Sequence, residues 1–302
     1  MSVVLDASLP VPVSYRGKVR DTYEISGKLL LLATDRISAF DCVLPCGIPD
    51  KGIVLNQLSG FWFEKTKHIC PNHLIAMVND ISTAKELLNK EIDFPRSIIG
   101  RSMIVRKAER ISVEAVVRGY ISGSAWEEYN KSGTISGIKQ NSGMRESQKL
   151  DIPMFTPTTK ADEGHDMPMN KQQLVDMIGK NIADKVEELS ISIYNFGAEY
   201  ALERGIIIAD TKFEFGIIDN QVSLIDEVLT PDSSRFWDIK KYEVGKSQPS
   251  FDKQPVRDWL ASSGWNKQPP APMLPEEIIQ QTSERYKNAY KILTGKDIVI
   301  PE

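Results

Sequence analysis

The chain has 302 residues, with 37 Lys and Arg against 41 Asp and Glu, a net charge of −4, and 41% hydrophobic and 26% charged residues. This is the composition of an ordinary globular protein, and its mild acidity excludes a nucleic-acid coat or a basic membrane-binding surface, so any anionic ligand must be met by a local cluster of cations. Three cysteines without a Cys-x-x-Cys pair (Cys42, Cys46, Cys70) and an N-terminus lacking a basic leader or long apolar core predict reduced thiols in a cytoplasmic protein.

A single core is usually outgrown at this length, so two lobes with a cleft between them are expected. Residues 15–34 read as two strands joined at Ser26-Gly27, the first carrying Arg16, Lys18 and Arg20 on one face around Gly17. Such a hairpin either lies over nucleotide phosphates or forms a basic edge that resists aggregation. TDRISAFD, residues 34–41, is too polar for a core strand and reads as a turn or the edge of a site, followed by a loop marked by Pro45, Gly47, Pro49 and Gly52. Asn56 reads as the cap of a helix running to about His68. His68, Cys70 and His73 match no standard zinc spacing. After a helix near 82–90, strands at 101–107 and 113–118 bracket Ala108-Glu109-Arg110. That is the place for a crossover between lobes, where backbone groups commonly meet an adenine edge.

In VVRGYISGSAWEEY, residues 116–129, Arg118 ends a β-rich run and Ser124 to Glu127 reads as a Ser-x-x-Glu capping box. Ser122, Gly123 and Ser124 would then sit at a helix N-terminus, whose free N–H groups and dipole suit a phosphate; an ordinary capped helix is the alternative. Residues 130–169 read as a lid or insertion in which Lys160, Asp162, His165 and Asp166 are either working residues or solvated loop charges. Asn170 caps a helical region that runs to Arg204, broken near Gly179 and stopped by Gly205.

The stretch 205–237 places charge inside sequence that otherwise reads as buried sheet. Runs at 206–215 and 222–229 flank the turn Asp219-Asn220-Gln221, an antiparallel hairpin. Alternation puts Asp210, Lys212 and Glu214 on one face and Thr211, Phe213 and Phe215 on the other, and the second strand adds Asp226 and Glu227. This pattern holds either a divalent metal and an anion or a surface ladder of ion pairs. Arg235, after Asp232, Ser233 and Ser234, is placed to clamp a phosphate alongside Arg118. Helices at about 255–262 and 275–294 read as structural.

RGKVRDTYE, TDRISAFD, VVRGYISGSAW, TPTTKADEGHD, IIIADTKFEFG and IDEVLTPDSSRFW, in this order, resemble the SAICAR synthetase (phosphoribosylaminoimidazole-succinocarboxamide synthase) family, in its longer single-function form. The resemblance runs from about Tyr15 to Leu260. It implies an α+β fold with a small antiparallel, kinase-like N-lobe over 1–112, a larger α/β lobe over 113–302, and ATP in the cleft. It implies a ligase that phosphorylates the carboxylate of carboxyaminoimidazole ribonucleotide (CAIR) with ATP and lets the amine of L-aspartate displace the phosphate. The resemblance assigns ATP contacts to Lys18, Arg20 and Glu214, and magnesium to Asp210 and Asp226; Glu109 joins the nucleotide contacts by its position at the crossover alone. It makes Lys212 the stabiliser of the transferring group, gives the ribonucleotide phosphate to Arg118, Ser124 and Arg235, to which the helix N-terminus reading adds Ser122, and places Lys160 and Asp166 near the aspartate and imidazole ends. No nucleic acid or membrane partner is implied, and the protein is expected to be a monomer or small homo-oligomer. Two other readings stay open: a kinase, although no His-Arg-Asp sequence is present, and a nucleotide-binding module without turnover.

Overall fold

The structure, a computed structural model, describes residues 3–40, 42–160, 167–251 and 253–301. The chain runs through β1 (Tyr15–Arg16), β2 (Arg20–Ile25), β3 (Lys28–Ala33), β4 (Arg36–Ala39), β5 (Cys42–Gly47), α1 (Lys51–Thr66), β6 (Leu74–Met77), α2 (Ile81–Leu87), β7 (Ser102–Arg106) and β8 (Glu109–Arg110). It continues with β9 (Val113–Tyr120), α3 (Ser124–Ser132), β10 (Thr134–Ile135), β11 (Ile138–Lys139), β12 (Lys149–Phe155), β13 (Thr158–Thr159), α4 (Lys171–Ile178) and α5 (Lys180–Leu202). The last elements are β14 (Ile206–Ile218), β15 (Gln221–Ile225), β16 (Ser234–Asp238), α6 (Gln254–Ser262) and α7 (Glu276–Thr294).

Two antiparallel sheets organise these elements into an α+β fold. The smaller has the order β1-β2-β3-β7-β6; the larger has the order β12-β9-β14-β15, with β13 on β9 and both β8 and β16 on β14. Both main hairpins turn on two residues with positive φ, Ser26-Gly27 (51° and 75°) and Asp219-Asn220 (51° and 61°). Such turns match the right-handed twist of the strands they join, and Gly, Asn and Asp tolerate them best.

Strand β14 is the spine of the larger sheet. Its inward side chains Phe213 and Phe215 are each 1% exposed, in one apolar core with Leu189 and Ile193 of α5. Burying each ring contributes roughly 2–3 kcal/mol. Tyr194 of α5 donates its hydroxyl hydrogen to the Ile208 carbonyl at 2.7 Å, and this close approach requires Gly119 on β9, because a Cβ there would lie 1.9 Å from the Tyr194 oxygen. The same core extends to Leu31 of β3, Val54 of α1 and Tyr286 of α7, so the final helix closes the space between the two sheets.

Several sequence expectations change here. Residues 36–39 are a strand, buried or half-buried, because Asp35 spends its charge internally on Arg101 (2.9 Å) and the Gly52 N–H (2.9 Å). Helix α1 starts at Lys51, and Asn56 lies buried within it, its amide donating to the carbonyls of Gly100 and Ser102. Arg16, Lys18 and Arg20 do not share a strand face: Gly17 turns back to accommodate an N–H bond to the Arg20 carbonyl, Arg16 pairs outward with Asp6, and Arg20 points into the cleft. Part of 130–169 is ordered into β10 to β13. The broken helix is found as read, with a full capping box at Asn170 and Gln173 and a break at Gly179. Around His68, Cys70 and His73 the side chains are structural: His68 stacks edge-on to Phe196, and burial pushes the Cys70 thiol up to about 11.

Candidate active site

Asp210, Lys212 and Glu214 project from alternate positions of β14, and each meets a different partner. Asp210, 6% exposed, accepts from Arg118 Nη1 through Oδ2 at 2.9 Å and from Arg235 through the same oxygen. Arg118 is fixed further, donating Nε to Thr156 Oγ1 (3.0 Å) and Nη2 to Ser124 Oγ (3.2 Å). Burial pulls its pKa down, and Asp210 opposes that shift. The expected Ser-x-x-Glu box does not form. The cap of α3 is Gly123, with φ of 54°, and Ser124 turns its hydroxyl to Arg118 instead. The positive φ strains any other residue at 123, and a Cβ there would lie 2.3 Å from Arg235 Nη2 and push the guanidinium aside. Beside it, the buried Ser122 hydroxyl has no hydrogen-bond partner among the described residues, an arrangement that costs about 1–3 kcal/mol unless a ligand completes it.

The second cluster is acidic. Arg20 reaches across to Asp226 (Nη1 to Oδ1, 2.7 Å) and Glu227 (Nη2 to Oε1, 3.0 Å), and burial opposes but does not overcome the rise in its pKa from these anions. Thr230 donates to Glu227 Oε2 at 2.6 Å. Asp226, just past the end of β15, adopts a left-handed backbone, φ 66°, and its carboxylate meets Arg20 of β2; Asp bears this geometry better than most residues. Glu214 lies opposite Ile225, the residue before Asp226, in the β14–β15 register, near enough to feel the Asp226 charge. Burial first, and the Asp226 charge second, raise the Glu214 carboxyl to about 7, while its ion pair with Lys160 pulls the other way. Asp210 and Asp226 have different partners, Arg118 and Arg235 for the first and Arg20 for the second, and line different cavities.

Two cavities lie over these clusters. One of 440 Å³ is lined by Lys18, Glu214, Asp226 and Glu227; one of 580 Å³ is lined by Arg118, Ser122, Ser124, Asp210 and Arg235. Lys212, Asp232 and Arg257 border both. Lys212 pairs with Glu114 of β9, and its side chain remains 51% exposed. Glu109 lies at the crossover on β8, exposed and opposite Ile217. Asp41, Asp162, His165 and Asp166 lie outside the described residues.

Sequence reading gave no role to Asp232, Lys253, Gln254 and Arg257, which line the cavities, or to Lys51, which pairs with Asp232. Helix α6, read as structural, opens with Lys253 at its cap and carries Gln254 and Arg257 to the cavity walls. The signal was the four-residue spacing of Lys253 and Arg257, which puts two cations on one helix face. Lys51 could not be found this way, because a lysine with 0% exposure contradicts every surface prior.

A family profile described as SAICAR synthetase matches residues 13–272. The phosphoribosylaminoimidazole-succinocarboxamide synthase of Thermodesulfovibrio yellowstonii is 52% identical, covering 97% of this chain and 99% of its own length, and that of Elusimicrobium minutum is 50% identical, covering 94% and 96%. Among solved structures, the SAICAR synthase from Saccharomyces cerevisiae in complex with SAICAR is 43% identical with a TM-score of 0.85, covering 98% of each chain. A SAICAR synthetase in complex with ADP is 26% identical with a TM-score of 0.68, covering 95% of this chain and 99% of its own.

Proposed function

The chain belongs to the SAICAR synthetase family, and from that premise we propose how its two cavities divide the work. The reaction is an ATP-dependent ligation of purine synthesis in which L-aspartate joins CAIR to give SAICAR, ADP and phosphate. In our reading the cavity with Glu214, Asp226 and Glu227 takes the nucleotide phosphates, through magnesium, and the cavity with Arg118 and Arg235 takes the ribonucleotide. The observation that carries this division is that one pocket holds Arg118, Arg235 and the buried Ser122 hydroxyl and the other holds Glu214, Asp226 and Glu227, with Lys212, Asp232 and Arg257 on a wall common to both. The chain then has a nucleotide lobe over residues 1–112 and a substrate lobe over 113–302, and acts in the cytoplasm as a monomer or small homo-oligomer.

Arg118, Arg235, Ser122 and Ser124 bind the 5′-phosphate of the ribonucleotide at the N-terminus of α3. Two guanidiniums and an unpaired buried hydroxyl are the donor set a phosphate needs, and Asp210 holds both guanidiniums through one oxygen. Arg235→Ala is expected to raise the KM for CAIR about tenfold to a hundredfold, with kcat changed far less, in steady-state kinetics. An unchanged KM places the phosphate elsewhere.

Magnesium fits Glu214 and Asp226 better than Asp210. Glu214 and Asp226 are two close, partly buried carboxylates whose mutual repulsion a cation relieves, whereas the Asp210 oxygen is already shared by two arginines. Among the described residues no cluster of three protein ligands closes around a metal; magnesium is commonly held by one or two carboxylates plus substrate phosphates and water. When bound, it offsets the charge of the triphosphate. Lys18 and Arg20 add positive charge from the hairpin side, Arg20 chiefly by holding Asp226 and Glu227 in place. Lys160 steadies Glu214, and the Glu109 crossover lies by the adenine.

The chemistry then follows the geometry. The CAIR carboxylate oxygen attacks the γ-phosphorus as ADP leaves; the aspartate amine attacks the resulting acyl phosphate, and phosphate leaves as the amine loses its proton. Lys212, at the wall between the pockets, offsets charge on the transferring phosphoryl group. Lys253 and Arg257 supply cations for the two carboxylates of L-aspartate. ADP formation from Mg-ATP and CAIR, with and without L-aspartate, tests the whole reading: turnover needing all three supports it, and aspartate-independent ADP release means a kinase or ATPase.

The raised Glu214 pKa gives a pH prediction. Because the folded value, about 7, lies above the ordinary 4.5, protonated Glu214 favours the fold below the lower value, and that contribution is lost as pH rises through 7. Binding magnesium requires the carboxylate, so it should release close to one proton per site near pH 6 and almost none above pH 8. Calorimetry in buffers of different ionisation enthalpy measures this; proton release that is flat across pH removes Glu214 from the metal site.

A further inference from the structure

The loop between β1 and β2, Gly17-Lys18-Val19, turns its successive carbonyls to one short segment, Thr34-Asp35-Arg36. The Val19 carbonyl accepts from the Thr34 N–H at 3.0 Å and from Thr34 Oγ1 at 2.8 Å. Arg36 takes the other two, donating Nε to the Lys18 carbonyl (3.2 Å) and Nη2 to the Gly17 carbonyl (3.0 Å). Its Nη1 also donates to the Leu5 carbonyl at 2.8 Å. Both oxygens of Asp21, a carboxylate with 0% exposure, accept from the same guanidinium, Oδ2 from Nη1 at 3.1 Å and Oδ1 from Nη2 at 2.7 Å. A guanidinium carries five N–H donors in a rigid fork, and all five here have protein acceptors. The charge of Arg36 is thus spent inside the protein, on Asp21 and on the loop.

We propose that Arg36 is a positioning residue for the nucleotide phosphates, acting through the main chain of Gly17 and Lys18. This rests on the reading that the cavity lined by Lys18, Glu214 and Asp226 takes the nucleotide. A trans peptide sets its N–H across from its carbonyl. With the Gly17 and Lys18 carbonyls drawn to Arg36, the N–H groups of Lys18 and Val19 point the opposite way. The negative ends of two peptide dipoles are held off a phosphate that meets Lys18, and successive N–H groups are presented instead, the arrangement of an anion-binding concavity. Arg36 also opens β4, whose far end brings Ser38 and Ala39 to the same cavity as Lys18. One side chain therefore fixes two walls of that cavity relative to each other. Without the guanidinium the two loop carbonyls lose their donors, and their peptides can flip, setting a carbonyl oxygen against a phosphate oxygen. Lysine at 36 keeps the charge beside Asp21, but its three donors on one nitrogen cannot span Asp21, Leu5 and both loop carbonyls.

The test is Arg36→Lys and Thr34→Val in the full chain, each compared with wild type by MgADP calorimetry and steady-state kinetics well below the Tm of the variant. Arg36→Lys is expected to weaken MgADP and raise the KM for ATP about tenfold, with kcat and the KM for CAIR within about twofold of wild type. Thr34→Val removes one of the two donors to the Val19 carbonyl and keeps the backbone one, so it should lose about threefold in the same two quantities. A merely structural Arg36 would lower Tm and the active fraction, and kcat with them, yet leave the MgADP affinity of the folded protein and the KM for ATP unchanged; that result overturns the inference. So does a rise in the KM for CAIR equal to that for ATP. If Arg36→Lys does not fold, Thr34→Val decides, and wild-type MgADP affinity there overturns the inference. A wild type that binds no MgADP removes the nucleotide from this cavity and the role of Arg36 with it. A wild type that binds MgADP without three-substrate turnover defeats the ligase reading alone, and the MgADP comparison still decides for Arg36.

Discussion

Replacing Lys212 with alanine is expected to lower kcat about 10³-fold or more while the protein stays folded, since removing one well-placed donor to developing charge commonly costs this much. Two features separate the effect on rate from any effect on stability. Lys212 is half-exposed on the sheet, and its pairing with Glu114 is of the kind that contributes about 1 kcal/mol or less. Its inward neighbours Thr211 and Phe213 do not depend on it for packing. The side chain nevertheless stands where both cavities meet, so its charge is available both to the phosphoryl group leaving ATP and to the carboxylate receiving it. Lys212→Arg keeps the charge but replaces a compact ammonium with a planar fork, and should recover only part of the rate. Single-turnover kinetics with thermal unfolding check both variants. A kcat for Lys212→Ala within threefold of wild type would show that phosphoryl transfer is assisted from elsewhere.

The parts of the molecule visible in its sequence are those governed by local rules. The hairpin turns at Ser26-Gly27 and Asp219-Asn220, the Asn170 cap and the Gly179 break follow from backbone preferences of a few residues, and the alternation of β14 alone sorts Asp210, Lys212 and Glu214 from Phe213 and Phe215. What was not legible depends on partners distant in the chain. TDRISAFD looked too polar for a strand because Arg101, 66 residues after Asp35, was not visible as its counter-ion. Ser124 looked like a cap because its real partner, Arg118, lies on the preceding strand and competes for the hydroxyl. The pairing of Asp210 with Asp226 on one metal came from the family resemblance, and only the strand register puts Glu214 opposite Ile225, next to Asp226, and Asp210 opposite Arg118. Helices α6 and α7 looked structural because their amphipathic pattern accounts for most of their residues; the few that reach the cleft leave no periodic trace.

Asp226→Asn is the substitution expected to separate metal binding most cleanly from fold. Asparagine is nearly the same shape and tolerates the left-handed backbone at φ 66°, so no strain is introduced. Arg20 retains Glu227, and Glu227 retains Thr230, so the cluster keeps most of its hydrogen bonds. What changes is charge. A neutral amide is a weak magnesium ligand, and half-saturation in a metal titration should rise tenfold or more, with kcat at saturating metal down about 10²-fold. A second, independent readout comes from Glu214. Repulsion from Asp226 is one of the two causes holding its carboxyl near 7, and removing it lets the pKa fall toward the ordinary 4.5, although burial still opposes a full return. The acid limb of the kcat/KM profile should therefore move to lower pH in the variant, even as the rate drops. A role for Asp226 that was only structural would weaken metal binding through disorder and leave that limb in place. Identical metal titrations for the two proteins, or an unmoved acid limb, would remove Asp226 from the site that binds magnesium beside Glu214.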